Sequence, residues 1–506
     1  MGRHDAAHNK VNRMNRIPDF GPGTPASPAV KRLAWLVVLL CIVSIAMTLL
    51  MMSGRIGRNN DDAGNGDHLG GIYERYQGRI YMNIAFQGYY LVPGADPASF
   101  APLGGVGNSS LGQDKNAVYC GSQVIAQLRP EQVRFADAGY VSDGTRAWYC
   151  SMEKDNPSYH WWQFFTRSSS EDNPEKPRGK DYRLIALNPV HVADLKVLIG
   201  AWAQDGEHVF YEGALIPGAD GASLATVTLG WGHFIGRDDE HYVRDRSRVY
   251  YQGMPLPGAS PASFHALEPE SDQWQTLYGQ DTATGQYYIG AKPFPATVDG
   301  VDSSGLHLLI ADRDRAYHEI FYNAHGLWYW DYQDSALKRG CANPFHTADG
   351  AHPEPAMLTP GVWADDRNAF VLRVTEDWRT GGPRHNGDTS LAARNTQIWM
   401  LPGLARSQWS KVADLMVDGD PGRMRGTLWK AGSQLYFASD TGQNYLFNDA
   451  LYLVLNLEGL KRDLASDHWY GKVFAAHDIQ KLDASDSTIV CRMTSRFPSM
   501  LEFWKN

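Results

Sequence analysis

The sequence repeats itself, and this feature constrains the fold more than any other. Three segments share an aromatic residue two positions before a Gly, then Pro-Gly-Ala-Asp or Pro-Gly-Ala-Ser, then Ser-Phe or Ser-Leu. They cover residues 80–103, 201–227 and 241–267. A unit this short cannot bury its own apolar face, so neighbouring copies must stack, as they do in solenoids and propellers.

The third copy shows what each part does locally. Asp245 opens a polar turn because its side chain can bind the backbone that follows it. Residues 249–251 (Val-Tyr-Tyr) favour a strand, and Gly253 permits a second turn. Residues 261–267 can form one helical turn with Pro near its start, which would place Phe264 and Leu267 on one core. The pattern therefore predicts short strands joined by tight turns.

Weaker copies of the pattern lie at residues 111–125, 140–150 and 277–294. An aspartate recurs at the turn position of five copies: Asp114, Asp143, Asp205, Asp245 and Asp281. We expect these residues to recur because the turn needs them. The alternative is a ring of carboxylates that binds a ligand.

The repeat also carries a family resemblance. Residues 242–253 (YVRDRSRVYYQG), 113–119 (QDKNAVY) and the Gly-Ala-Asp-x-x-Ser-Phe segment at 94–100 resemble the DKNYY family of bacterial repeat proteins. The resemblance extends over about 76–298. It implies a repeat protein of the bacterial envelope or surface, with no established reaction and no catalytic residues to carry over.

The predicted fold is mainly β, with tandem β-meander repeats that are either propeller-like or an open twisted sheet, short helical turns, and one N-terminal transmembrane helix. Five segments are expected: a disordered cytoplasmic tail (1–32), the transmembrane helix (33–52), a linker (53–75), the DKNYY-type repeats (76–298) and a second, degenerate β-rich repeat region (299–506).

Residues 33–52 contain no charged side chain. A helix of about 20 apolar residues spans the hydrocarbon core, whereas the apolar part of a secretory signal has about 7–15 residues. Six basic and two acidic residues precede this run, and acidic residues follow it at Asp61, Asp62 and Asp67. The positive-inside rule then puts the N-terminus in the cytoplasm. With the resemblance, this predicts a single-pass protein of the bacterial inner membrane with a periplasmic C-terminal domain.

Charge narrows the choice of partners. Net charge is -9 for the chain. Removing residues 1–32 leaves 41 basic and 54 acidic residues, a net charge of -13. An acidic exported region argues against binding to nucleic acid. The partners expected are the membrane, through one span, and another protein.

Five cysteines are present. Cys41 lies in the apolar run, and Cys120, Cys150, Cys341 and Cys491 lie in the exported part. An even number outside the cytoplasm favours two disulfides. Cys120 and Cys150 end equivalent strands of neighbouring copies, which favours their pairing and leaves Cys341 with Cys491; free buried thiols are the alternative.

Motifs of known chemistry are absent from the sequence: it has no H-E-x-x-H, no G-x-S-x-G and no phosphate-binding G-x-x-x-x-G-K-[ST]. The densest histidine set is His346, His352 and His385, at a spacing more typical of solvated loops than of a metal site. We therefore predict no catalytic residue, no cofactor and no bound metal.

The function that follows is a membrane-anchored, extracytoplasmic β-repeat module that binds a protein partner. The alternatives are an envelope immunity or adaptor protein directed against a toxin, a periplasmic enzyme with an unrecognised site, and a structural envelope protein. An enzyme is the less favoured of these classes.

Overall fold

A computed structural model gives the fold. It describes residues 66–85, 88–104, 110–151, 154–156, 179–231, 236–267, 278–310, 316–346, 355–380, 389–417, 420–439, 450–465, 478–482 and 487–497. The expected tail at 1–32 and the expected membrane helix at 33–52 lie outside these ranges. Within the residues that the structure describes, no helix has both the length and the apolar character needed to cross a membrane.

The described chain is mainly β and divides into two compact units. The first unit comprises the chain up to 133 together with 150–184, and the second comprises 134–149 together with 185–506. Most sheets are antiparallel meanders whose strands follow one another in chain order.

The first unit contains three sheets. Two are four-stranded meanders, made of Asp67–Gly70, Tyr73–Tyr76, Arg79–Ile84 and Gly88–Leu91, and of Ala101–Pro102, Leu111–Gln113, Val118–Cys120 and Gln123–Val124. Lys154–Asp155 pairs with Lys180–Asp181, and a 3-10 helix spans Pro130–Gln132.

The second unit continues the meanders. One four-stranded sheet contains Phe135–Asp137, Tyr140–Ser142, Ala147–Cys150 and Leu184–Ala186, and the next contains Lys196–Ile199, Trp202–Gln204, Val209–Tyr211 and Ala214–Leu215. Two further meanders form one eight-stranded sheet: Ala225–Trp231, Asp238–Arg244, Val249–Tyr251 and Met254–Pro255, then Phe264–Leu267, Tyr278–Asp281, Gln286–Ile289 and Lys292–Pro293. Parallel pairing of Ala225–Trp231 with Phe264–Leu267 joins these two meanders.

Beyond residue 296, short-stranded sheets are followed by two sheets with longer strands. Thr297–Val298 pairs with Val301–Asp302, and His307–Ile310, Ile320–Asn323, Gly326–Asp331 and Ala336–Cys341 form a four-stranded meander. One five-stranded sheet contains Ala356–Thr359, Val362–Ala364, Asn368–Thr380, Thr389–Pro402 and Thr488–Arg496, and the other contains Trp409–Val417, Asp420–Ala431, Gln434–Ser439, Leu451–Val454 and Ile479–Lys481. The helices of this unit are Leu457–Ala465 and the 3-10 turns Val192–Asp194, Gly221–Ser223 and Arg406–Gln408.

Two kinds of turn alternate along the meanders. One is a four-residue turn that begins at an aspartate, and the residues directly before and after it pair with each other across the hairpin. These turns span residues 114–117, 143–146, 205–208, 245–248 and 365–368. The other is a two-residue turn ending in Gly, in which both residues have positive φ; Glu212 and Gly213 have φ values of 48° and 77°. Such turns match the twist of a hairpin, and Gly adopts their second position without strain.

The connector after Pro-Gly-Ala in the third copy differs from our expectation. Phe264–Leu267 is a strand and not a helical turn. Phe264 packs with Tyr242 and Tyr288, whereas Leu267 packs in a separate cluster with Tyr278 and Phe321. The prediction that Phe264 and Leu267 share one core is therefore wrong, because successive side chains of a strand point to opposite faces.

The folded region also starts earlier than the predicted boundary at residue 76. Tyr73 lies in a strand within the segment expected to be a linker, and its side chain is fully buried. Its hydroxyl donates to the carbonyls of Ser110 and Gly121, at 2.8 and 2.9 Å. In the described part of the chain, the strands Asp67–Gly70 and Tyr73–Tyr76 therefore begin before residue 76.

Candidate functional site

Each repeat aspartate binds the turn that it opens. In the third copy, Asp245 Oδ1 accepts from the backbone N–H groups of Ser247 and Arg248, both at 2.7 Å. The Asp245 N–H donates to the Arg248 carbonyl at 2.9 Å. Oδ1 of Asp114, Asp143 and Asp205 makes the same pair of contacts to the second and third residues after it.

The second carboxylate oxygen has another task, because it reaches back to the preceding connector. Asp245 Oδ2 accepts from the backbone N–H of Asp220, the last residue of Pro-Gly-Ala-Asp, at 3.1 Å. Asp114 accepts likewise from Asp96 at 2.7 Å, and Asp281 from Ser260 at 3.0 Å. We call this bond from an aspartate Oδ2 to the connector N–H the clasp.

A serine of the connector strengthens the clasp. Ser223 Oγ donates to Asp220 Oδ2 at 2.6 Å and accepts from the backbone N–H of Arg246 at 3.0 Å. Ser99 makes the equivalent contacts with Asp96 and Lys115. The recurring Asp-x-x-Ser of the sequence therefore serves to attach one copy to the hairpin of the next.

A tyrosine five residues after the aspartate completes two of the clasps. Tyr250 donates to Asp245 Oδ2 at 2.7 Å, and Tyr119 donates to Asp114 Oδ2 at 3.0 Å. Burial by itself would raise the pKa of Asp245, but the bonds from Tyr250, Asp220 and Ser247 outweigh it and lower this pKa to about 2. The pKa of Asp114 is lowered for the same reasons.

The other four aspartate copies lack a tyrosine at this position: residues 148, 210, 286 and 370 are Trp, Phe, Gln and Phe. In two of these copies the fourth turn residue approaches Oδ2 instead: Arg146 Nε lies 3.3 Å from Asp143 Oδ2, and His208 Nδ1 lies 3.1 Å from Asp205 Oδ2. Asp205 also clasps the backbone N–H of His191 at 2.6 Å.

The clasp continues beyond residue 298, where the sequence pattern fades. Asp365 binds its own turn and accepts from the backbone N–H of His346 at 2.9 Å. His346 ends Asn-Pro-Phe-His and His191 ends Asn-Pro-Val-His, so this second form of connector was visible in the sequence. Asn323 takes the aspartate's place in another copy, with its amide donating to the carbonyls of Asp302 and Ser304. Sequence reasoning missed both copies.

Two disulfides are present. Cys120 is bonded to Cys150 and Cys341 to Cys491, at sequence separations of 30 and 150. Cys341 ends the strand Ala336–Cys341, and Cys491 lies in Thr488–Arg496, so the second bond ties two sheets of the second unit together.

Of the histidine set singled out from sequence, His346 is described, and His352 and His385 lie outside the described residues. The structure brings together a different group: His191, Glu207 and His208, whose donor atoms all lie within 4.8 Å of one another. Sequence reasoning missed this group because His191 is far along the chain from the other two. The Asp205 clasp is what joins its connector to their turn.

A series of buried polar side chains connected by hydrogen bonds lies between the two sheets that the Cys341–Cys491 disulfide joins. His318 lies between the hydroxyls of Thr396 and Ser495, at 2.8 and 3.0 Å, and Ser495 donates to Asp331 Oδ1 at 2.6 Å. Burial lowers the pKa of His318 to about 4, although Asp331 opposes this change. With 1% exposure, His318 is shielded from solvent, and its contacts are those of a structural group.

The fold and its clasps define a class of protein: a β-meander repeat in which the copies of Asp114, Asp205, Asp245, Asp281 and Asp365 are each fixed to the connector before them. The family resemblance is confirmed for part of the chain, since residues 73–252 match the model of the DKNYY family. The clasps of Asp114, Asp205 and Asp245 lie within the match, and those of Asp281 and Asp365 follow it. Neither the curated proteins nor the solved structures gave a match.

Proposed function

We propose that this protein is a membrane-anchored, extracytoplasmic β-repeat module that binds a protein partner through its aspartate turns. One observation carries the proposal. The second and third residues of these turns are exposed and chemically different, whereas the aspartate that fixes each turn is held in place. The exposed pairs are Lys115-Asn116, Gly144-Thr145, Gly206-Glu207, Arg246-Ser247 and Asp366-Arg367.

A constant backbone that presents varied side chains is the usual basis of recognition by loops on a rigid scaffold. The aspartate and the clasp fix the turn, so little conformational freedom remains to be lost when a partner binds. The displayed residues include both charges, polar groups and glycine. Such variety suits a protein surface better than a uniformly charged polymer.

An extracytoplasmic location is part of the proposal and has three supports. The apolar run at 33–52 is long enough to span a bilayer. Basic residues precede it, which favours a cytoplasmic N-terminus. The two disulfides are typical of an oxidising compartment such as the periplasm.

An adaptor or immunity protein of the envelope is the specific form of this proposal. The enzyme alternative has weaker support. Among the described residues, a cavity lined by the long sheets has a volume of about 10 Å³, room for roughly one water molecule and far below the roughly 300–1,000 Å³ of small-molecule sites. Arg373 and Trp399 line it, and the Arg373 guanidinium lies over the Trp399 ring at 4.4 Å.

Photo-crosslinking in intact cells tests the proposal. A photoreactive amino acid replaces Asn116, Arg367 or Ala324, the exposed residue that follows Asn323 in its turn, in the full chain. Lys461 on the helix Leu457–Ala465 is the matched exposed control. We expect one discrete adduct that is common to turn positions and absent from the Lys461 variant. The same adducts from every position, or none from the turns, would contradict binding through the turns. Retention of both disulfides shows that each variant is folded.

A further inference from the structure

We propose that His191, Glu207 and His208 form a binding site for a divalent transition metal, with Zn²⁺ as the ion of best fit. His191 Nε2 lies 2.9 Å from Glu207 Oε2, and His208 Nε2 lies 4.0 Å from Glu207 Oε1. Donor atoms around tetrahedral zinc, at bond lengths near 2.1 Å, lie about 3.4 Å apart. The donor atoms of the three residues lie within 4.8 Å of one another, and the two imidazole rings are nearly parallel, so closing around an ion requires the exposed His191 and Glu207 side chains to turn toward it.

The donor set indicates which ion fits. Two imidazoles and one carboxylate suit Zn²⁺ and related transition metals, whereas Ca²⁺ and Mg²⁺ prefer sets made of oxygen atoms. Three protein ligands leave a fourth tetrahedral position for water or for a ligand from outside. The site is open to solvent, with side-chain exposures of 57% for His191, 70% for Glu207 and 17% for His208.

A second observation points to a metal: His208 is held by a buried carboxylate. Its Nδ1 lies 3.1 Å from Oδ2 of Asp205, whose side chain has no exposure. Since an ionised carboxylate only accepts, Nδ1 carries the hydrogen and the lone pair of Nε2 faces Glu207. A carboxylate behind a histidine is the support that metal-binding histidines commonly have.

The partner of the aspartate Oδ2 also differs between this copy and two others, and the difference allows a histidine to be held for metal binding. In the copies of Asp114 and Asp245, a tyrosine hydroxyl donates a hydrogen bond to Oδ2, and the fourth turn residue is Ala117 or Arg248. In the Asp205 copy the tyrosine is replaced by Phe210, so Oδ2 is available to His208. The clasp then brings His191 alongside, with the two imidazole rings stacked at 5.5 Å.

A bound ion would act as a second fastening between the connector and the hairpin, beside the clasp. This inference does not rest on the proposed function: zinc binding is measured on the purified chain, and the crosslinking positions avoid residues 191, 207 and 208.

Zinc titration of the full chain in detergent, without a polyhistidine tag, tests the site. Free Zn²⁺ is set with a competing chelator, and Co²⁺ provides an optical readout through the visible bands of a low-symmetry site. The variants are His191→Asn, Glu207→Gln and His208→Gln. His325→Gln is the matched control, because His325 is an exposed turn histidine with its own carboxylate neighbour, Asp302, at 3.8 Å.

We expect the unmodified chain to bind one equivalent whose affinity falls at least 10-fold in each ligand variant and is unchanged in His325→Gln. Zinc should also raise the Tm of the unmodified chain, and not of the ligand variants. Acidification should weaken binding because protonated imidazole is not a ligand. Equal affinity in all variants, an equal loss in His325→Gln, or no stoichiometric binding would overturn the proposal.

Discussion

The Tyr250 hydroxyl lies 2.7 Å from Asp245 Oδ2, the oxygen that also accepts the backbone N–H of Asp220. One carboxylate thus joins its own turn, the next strand and the connector of the preceding copy. Tyr119 and Asp114 repeat the relationship at 3.0 Å. Sheet packing alone would not require it, and its recurrence shows that polar contacts as well as apolar ones connect the copies.

Removing the Tyr250 hydroxyl should weaken this connection. We expect Tyr250→Phe to lower the free energy of unfolding by about 1 kcal/mol. Asp245→Ala should lower it by more, since that change removes the acceptor of three backbone N–H groups and of the buried Tyr250 hydroxyl. Urea denaturation measures both. Tyr76→Phe is the control, because the Tyr76 hydroxyl accepts its hydrogen bond from the exposed side chain of Gln77. An effect as large in Tyr76→Phe would speak against the clasp.

Acid should destabilise the protein in two separate steps. His318 has a folded pKa of about 4, below its ordinary 6.5, so the stability it contributes is complete above pH 6.5 and is lost as the pH falls toward 4. At about 1.4 kcal/mol per pKa unit, this loss amounts to roughly 3 kcal/mol. Asp143 and Asp245 have folded pKa values of about 2, so their contribution is lost between about pH 4 and 2.

Urea midpoints measured from pH 8 to pH 2 resolve the two steps. The variant His318→Gln should be less stable at neutral pH and should lose the upper step. His307→Gln, at an exposed strand position, should keep both. If the upper step survives in His318→Gln, another group is responsible for it.

The two glycine turns Glu212-Gly213 and Asp299-Gly300 form a matched pair. Both glycines have φ of 77°, but a Cβ at Gly213 would lie 2.6 Å from Tyr149 Cβ, whereas one at Gly300 would meet open space. Gly300→Ala should therefore cost only backbone strain, of order 1 kcal/mol, and Gly213→Ala should cost more. Thermal unfolding ranks them, and equal costs would mean that the tyrosine moves away freely.

Each disulfide should contribute separately to stability. The chain-entropy model gives about 4 kcal/mol for the 30-residue loop and about 5 kcal/mol for the 150-residue loop. We expect a lower Tm for Cys120→Ser/Cys150→Ser and a lower one still for Cys341→Ser/Cys491→Ser. Thiol labelling of the unfolded, unreduced protein should modify only Cys41; labelling of four further cysteines would contradict the paired state.

Deleting residues 33–52 tests the anchor. The full chain should stay with membranes after an alkaline wash, and the deleted chain should be released. A chain with five basic residues of the tail replaced, Arg3, Lys10, Arg13, Arg16 and Lys31, but with the apolar run intact, should remain bound. Release of that variant too would assign membrane attachment to the tail instead of the span.

The short strands and turns could be predicted from the sequence, whereas the clasp and the strand Phe264–Leu267 could not, for physical reasons. The short strands and Asp245-type turns follow from local propensity, which depends on neighbouring residues only. The clasp could not be predicted because its donor is a backbone N–H, which any residue except proline provides. The recurring Pro-Gly-Ala-Asp marks the connector, but it does not indicate which residue the connector binds. The strand at Phe264–Leu267 overrode a local helical preference because Phe264 pairs with Asp281 on the next strand.

The candidate metal site could not be found from spacing. His191 lies 16 and 17 residues from Glu207 and His208. No short motif spans that distance, and only the bond between His191 and Asp205 brings them together. The replacement of tyrosine by Phe210 is shared with Phe370 of the Asp365 copy, so the specific signal is the histidine at the fourth turn position, His208, which the other aspartate copies lack.

Every clasp points backward along the chain. The acceptor oxygen of Asp114, Asp205, Asp245, Asp281 or Asp365 finds a donor 14 to 25 residues earlier, in a segment that leaves the ribosome first. A copy with a clasp can thus be secured as soon as its own hairpin has been synthesised, without waiting for residues that follow. Contacts this local allow rapid folding, and the direction of the clasp suits a polypeptide that is made from its amino-terminal end.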